Sequence, residues 1–234
     1  MKKYTHGSVV AALSFAACAF LSPSRTLAAP LQYPITTYSL TDEVFYMRLE
    51  NGVSTISGAD VKILGKNFKS KADPGYALGG AVGFHLNEFF SAEIEMDHTQ
   101  NKTVISGDSG QGNLDFTLKQ RNLITSGVLH CPLAANVAIN VALGAGAQFT
   151  STNLPSDPSE AGVPKSDVAF VGQAKTGLSI ALSEKLSIDA GYKLRTVSSS
   201  KFYSLIPDGE TASTTARLSS RLNHLITAGL TYCF

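Results

Sequence analysis

Between residues 44 and 234 the chain returns eight times to one pattern: bulky apolar side chains at every second position, with small, polar or charged ones between them. Successive side chains of an extended strand point to opposite faces, so each segment reads as a strand with one apolar and one polar face. The first sets Phe45, Met47 and Leu49 against Tyr46, Arg48 and Glu50, and the last sets Ile226, Ala228, Leu230, Tyr232 and Phe234 against Thr227, Gly229, Thr231 and Cys233. Between them come segments over residues 76–86, 89–98, 114–129, 137–149, 168–182 and 186–195. In the fourth, Leu114, Phe116 and Leu118 alternate cleanly but Gln120 and Asn122 follow on the same face, which leaves the register ambiguous, with a bulge near Arg121 as one way to repair it.

The connections alternate in length. Short ones lie at Asn87-Glu88, at residues 131–135 and at residues 183–185, whereas long ones rich in Gly, Ser, Asp, Asn, Lys or Pro cover residues 54–75, 99–113, 151–167 and 197–220. Short turns at one end and long loops at the other are the layout of a transmembrane barrel with an even strand number, both termini in the periplasm and the long loops outside.

Residues 1–28 carry Lys2 and Lys3, an apolar run over residues 9–21 and then Thr26-Leu27-Ala28, which reads as a cleaved signal peptide. The run is shorter than the roughly 20 residues a spanning helix needs. A lipoprotein reading, with Cys18 acylated, is set aside because Phe15 fits such a site poorly and the later cut fits better. Residues 29–43 then form a periplasmic extension and residues 44–234 the barrel domain. Removing Lys2, Lys3 and Arg25 leaves 16 basic against 18 acidic side chains, a balance that gives nucleic-acid binding no support. Cys131 and Cys233 remain in a compartment that permits disulfides, but they fall on strands four apart, across the barrel, which argues against a bond between them.

Alternation alone does not say whether the apolar face meets lipid outside or a ligand inside. The polar faces are rich in Gly and Ala, as expected of an interior just wide enough for side chains, which puts the bulky face outward in lipid. The interior would then hold Arg48, Glu50, Glu93, Glu95, Lys175, Asp189, Lys193 and Arg195. Buried charges must be paired, so an ion-pair network plugging the lumen is expected.

The segments VFYMRL at residues 44–49, GYALGGAVGF at 75–84, LGAG at 143–146, DAGYK at 189–193 and GLTYCF at 229–234 resemble the small outer-membrane barrels of the OmpA/OmpX and opacity-protein-like group. The resemblance spans residues 44–234. It implies an all-β, eight-stranded antiparallel up-and-down transmembrane β-barrel in the Gram-negative outer membrane, in contact with membrane lipid and lipopolysaccharide. It also implies that Phe234, with Tyr232 and Leu230, forms the signal read by the barrel-assembly machinery. The chain stops at Phe234, so the peptidoglycan-binding domain of larger relatives, and anchoring to the cell wall, are not expected.

Other motifs carry less. Gly107-Asp108-Ser109-Gly110 copies a protease nucleophile segment, but it falls in a long loop without the neighbours such chemistry needs. His98 and His224, near the outer strand ends, are the candidates for a lipid-modifying base, yet no Ser stands two residues away on the same strand face. Gly144-Ala145-Gly146 lacks the third Gly and the helix of a dinucleotide site and reads as small lumen-facing residues. The mature His residues are scattered apart from the Cys, so no metal or other cofactor is expected. Lys62, Lys66, Lys69 and Lys71, against Asp60 and Asp73, would suit phosphates of lipopolysaccharide or an acidic host surface; a solvated loop is the favoured reading. Three functions stand in order: a structural barrel whose four long loops contact a surface ligand, a narrow porin-like channel, and a lipid-modifying enzyme.

Overall fold

The computed structural model describes residues 45–57, 60–63, 66–105, 114–153, 167–205 and 213–234. Among them every regular element is a strand: β1 (Phe45–Ser57), β2 (Asp60–Ile63), β3 (Lys66–Ala72), β4 (Gly75–His85), β5 (Phe90–Ile105), β6 (Leu114–Ala134), β7 (Val137–Asn153), β8 (Asp167–Ala181), β9 (Leu186–Val197), β10 (Ser200–Leu205), β11 (Ser213–Leu218) and β12 (Arg221–Cys233). The signal-peptide and periplasmic-extension expectations, and the segment at 107–110, lie outside the described residues.

Eight strands close a barrel in the cyclic order β1, β4, β5, β6, β7, β8, β9, β12, each antiparallel to the next. Closure follows from the alternation. A strand apolar on one face and polar on the other leaves ladder groups unpaired at a sheet edge, and only a closed sheet removes both edges. The seam is β1 on β12, from Tyr46 opposite Cys233 to Ser57 opposite Leu222. Its last rung is the Phe234 amide donating to the Phe45 carbonyl at 2.9 Å.

The bulky side chains point outward. Leu49, Leu78, Met96, Leu143, Phe170 and Ile226 are exposed, while their strand neighbours Glu50, Ala77, Glu95, Ala142, Val171 and Leu225 are buried. Phe45, Phe84, Phe89, Phe90, Tyr232 and Phe234 ring the end with short turns, and Tyr76, Phe149, Phe170 and Tyr192 mark the other end of the apolar band, the paired aromatic girdles of a membrane barrel.

The short turns are built by side chains. Asn87 Oδ1 accepts from the amides of Phe89 (2.9 Å) and Phe90 (2.8 Å), reversing β4 into β5. Ser183 Oγ does the same for Leu186 at 3.1 Å between β8 and β9. β6 turns into β7 at Ala135-Asn136. That corrects the expected turn at 131–135, because the strand continues through Cys131 to Ala134.

Two further expectations are corrected. The register of β6 runs unbroken past Arg121 on both sides, and its irregularity falls at Pro132/Ala134. Leu118 turns inward beside Gln120, so Gln120 and Asn122 never leave the inner face. The long connections are also shorter than expected, because β1, β5 and β7 run several residues beyond their expected ends. Within residues 58–74 and 198–220, β2 with β3 and β10 with β11 form hairpins. β11 pairs with β2 through Arg217 opposite Lys62, and β3 pairs with the β5 extension through Lys71 opposite Val104, so two loops share one wall above the barrel.

Close approach inside the barrel needs small residues. A Cβ on Gly83 would stand 2.4 Å from the Tyr46 ring, so glycine there is what lets Tyr46 lie across the inner wall.

Candidate functional site

Among the described residues the lumen is the densest constellation of charge, and it is arranged in tiers. At the turn end, hydrogen bonds run from strand to strand around the inner wall. Ser91 Oγ lies 2.8 Å from His85 Nδ1 and 2.7 Å from His130 Nε2, and His130 Nδ1 lies 2.7 Å from Asn140 Oδ1. Asn140 donates to Ser179 at 2.5 Å, Ser179 donates to Asp189, and Thr231 donates to Asp189 at 2.5 Å. The chain links β4, β5, β6, β7, β8, β9 and β12 in barrel order, and Tyr46 of β1 packs on His85 at 5.1 Å between ring centroids.

Above it lies an ionic tier. β5 supplies Glu93, Glu95 and Asp97 and β1 supplies Glu50; β1, β8 and β9 supply Arg48, Lys175, Lys193 and Arg195. Arg48 reaches Glu93 at 2.7 Å, and Glu50 and Glu95 at 3.5 Å each. Lys175 holds Glu93 at 2.6 Å and Glu95 at 3.6 Å. Lys193 bridges Glu95 at 2.7 Å and Glu50. Arg195 bridges Glu95 at 2.7 Å and holds both oxygens of Asp97. β5 and β9 stand diametrically opposite in the cyclic order, so these contacts cross the bore. Four acids meet four bases, and each is paired, the condition under which buried charge is tolerable. A cavity of about 30 Å³ beside Arg48, Glu50, Lys175 and Asp189 has room for about two water molecules.

Among the described residues the outer tier is mostly uncharged, with Arg221 as its cation and Asp167 near it on β8, opposite Thr150. Gln120 Oε1 accepts from Thr99 (3.2 Å), Gln148 (3.2 Å) and Asn223 (2.9 Å), and Gln148 also donates to Asn122 at 2.9 Å. Arg221 donates to Gln148 and to Thr150 at 3.3 Å.

Seven of the eight residues expected in the lumen network, Arg48, Glu50, Glu93, Glu95, Lys175, Lys193 and Arg195, are brought together. Asp189 is inside the lumen but departs from the expectation: it bonds to hydroxyls of the turn-end tier, one layer from the cations. Asp97 and Arg221 were missed. Asp97 shares the alternating acidic face of β5, a signal already present in the sequence. Arg221 adjoins a stretch read as loop, so its inward direction had no pattern to announce it.

Phe234, Tyr232 and Leu230 all project outward into the turn-end girdle, with the Tyr232 and Phe234 rings edge to face at 5.2 Å. Lys69 and Lys71 are exposed on β3; Lys62 and Lys66 lie on β2 and β3, and their side chains are outside the described set. Gly144 and Gly146 lie mid-strand in β7, on the inner face. Cys131 and Cys233 form no disulfide. Among the described residues no cluster of His, Cys, Asp and Glu suits a metal ion.

His224 has no serine on its own strand face, but it meets one across the seam. The neighbour comes from the next strand: Ser57 Oγ of β1 lies 3.2 Å from His224 Nε2, and Tyr192 Oη of β9 lies 2.6 Å from Nδ1. Counting along one strand cannot see a partner across the seam.

A closed barrel with an apolar exterior, aromatic girdles and a filled polar interior is the architecture of a small outer-membrane protein. The model of the outer membrane protein beta-barrel domain matches residues 14–234, and the chain belongs to that family. No curated protein matches the sequence. Among solved structures, the fold is similar to outer membrane protein OprG from Pseudomonas aeruginosa, with 15% identity, a TM-score of 0.57, and 82% of this chain and 96% of that one covered. It is also similar to Neisserial surface protein A, with 13% identity, a TM-score of 0.52, and 82% and 100% covered. Outer membrane protein AlkL in lipid bilayers gives 12% identity, a TM-score of 0.50, and 89% and 95% covered.

Proposed function

We propose that the protein is a sealed structural barrel of the outer membrane that holds a loop surface outside for contact with an external ligand. Both termini face the periplasm, and Phe234, Tyr232 and Leu230 serve as the assembly signal. The observation that carries the reading is the ionic tier: eight paired charges cross the bore from β1 and β5 to β8 and β9. A solute passing through would have to separate them at several kcal/mol per ion. The wall formed by β2, β3, β10 and β11 supports a folded display surface on the outer side.

A catalytic role is not proposed. The Ser57, His224 and Tyr192 group has a phenol where an orienting carboxylate would stand. The test is planar-bilayer recording of the purified, refolded protein. The sealed reading expects no conductance steps above the lipid baseline; steady, ion-selective steps would replace it with the narrow-channel reading.

A further inference from the structure

Outside the lumen, and among the described residues, basic side chains gather in one place on the outward face of the barrel. The β5 and β6 register sets His98 beside Arg121, Gln100 beside Lys119 and Lys102 beside Thr117. All of these point away from the lumen, since Asn101, Thr103, Gln120 and Asn122 between them are buried. β3 extends the row: Lys71 pairs with Val104, diagonal to Lys102, and Lys69 lies one step further on the same face. Lys69, Lys71, Lys102 and Arg121 are exposed and Lys119 half-buried, and none of the five is in an ion pair. The acids at this rim are Asp73, and Asp115, which the register sets across from Val104.

The height of the patch is fixed by its neighbours. Arg121 pairs with Phe149, and Tyr76, whose hydroxyl donates to Gln100 at 3.1 Å, packs on His98 at 6.0 Å. Both aromatics belong to the girdle at the loop end, so the cations stand where lipid headgroups begin. The arc is specific. Among the described side chains at the same level, Ser151, Val168, Phe170, Thr196, Leu222, His224 and Ser57 occupy the outward faces of β7, β8, β9, β12 and β1, with no Lys or Arg among them.

We propose that Lys102, Lys119 and Arg121, with Lys69 and Lys71 at the upper edge, bind the phosphates of a phosphorylated glycolipid in the outer leaflet, its acyl chains lying on the apolar band below. Ammonium and guanidinium groups match phosphate oxygens by charge-assisted hydrogen bonds, and each cation at an anionic membrane surface strengthens binding about fivefold. The proposal rests on the loop end facing outside, but its chemistry is readable in either orientation.

The experiment places the full-length protein in phosphatidylcholine nanodiscs containing bisphosphorylated lipid A or the same lipid dephosphorylated, and counts retained lipid by native mass spectrometry. Wild type should keep the phosphorylated form selectively, through excess inorganic phosphate. A Lys102→Gln, Lys119→Gln, Arg121→Gln triple variant that still shows a heat-dependent gel shift should bind about a hundredfold more weakly, and Lys185→Gln, in a turn at the opposite end, should bind as wild type. Equal retention of the dephosphorylated lipid, displacement by inorganic phosphate, or full retention by the folded triple variant overturns the proposal. The wild-type arms decide even if the triple variant does not fold.

Discussion

The ionic tier and the amide tier of the lumen do the same job, filling a bore with polar groups, by opposite means. In the ionic tier four acids and four bases lock together, and Glu95 alone is within reach of Arg48, Lys175, Lys193 and Arg195. In the amide tier the contacts are neutral, Arg221 meets amide and hydroxyl oxygens, and Arg221 Nε, Gln120 Nε2 and Asn223 Oδ1 find no protein partner. The difference teaches where the seal is. Charges held in a buried interior are tightly interdependent, so losing one strands its partners, whereas a neutral amide leaves its neighbours short of one hydrogen bond.

Substitutions in the two tiers should therefore separate by size. The largest loss is expected for Glu95→Gln, which leaves the bore one positive charge in excess and should cost about 3–5 kcal/mol in urea unfolding from detergent micelles. Should it cost no more than a neutral substitution, the ionic tier is no lock. Arg221→Met removes a buried cation that makes no direct ion pair among the described residues, together with its hydrogen bonds to Gln148 and Thr150, and should cost about 1–3 kcal/mol in the same assay; a loss matching that of Glu95→Gln would erase the distinction between tiers. Between Glu50 and Lys193, a double-mutant cycle should give a coupling of about 0.5–3 kcal/mol, whereas Glu50 with Arg221 should add within roughly 0.5 kcal/mol. The smallest effect is expected for Thr99→Val, which deletes one neutral hydrogen bond to Gln120 and should cost about 0.5–1.5 kcal/mol.

The parity of the strands was legible in the sequence because one rule, apolar outward, governs every residue in the bilayer. That rule placed Leu49 outside and Glu50 inside, and it put Glu93, Glu95, Lys193 and Arg195 on inner faces before any pairing was known. It fails above the bilayer, where Leu118 can turn inward and Lys119 outward at no cost, and so the register was ambiguous near Arg121 where the ladder runs straight. The β2 to β3 and β10 to β11 hairpins escaped for the same reason: their residues alternate with no apolar band to obey, and β11 meets β2 only after some 150 intervening residues have folded. Which partner a residue meets across a seam is not written along its own strand. Ser57 beside His224, and Asp189 facing hydroxyls where cations were expected, are both of that kind.

Whether the bulky faces of this barrel lie in lipid is tested most directly by attaching a nitroxide to a single cysteine introduced at Leu49, Val82, Ile94, Leu143 or Ile226 in a version of the protein with its own cysteines replaced by serine, reconstituted in bilayers. The account predicts that each label is accessible to dissolved oxygen and shielded from a water-soluble nickel chelate. Labels that the chelate reaches, or that are immobilised in a packed interior sheltered from both reagents, would place these faces away from lipid and contradict it.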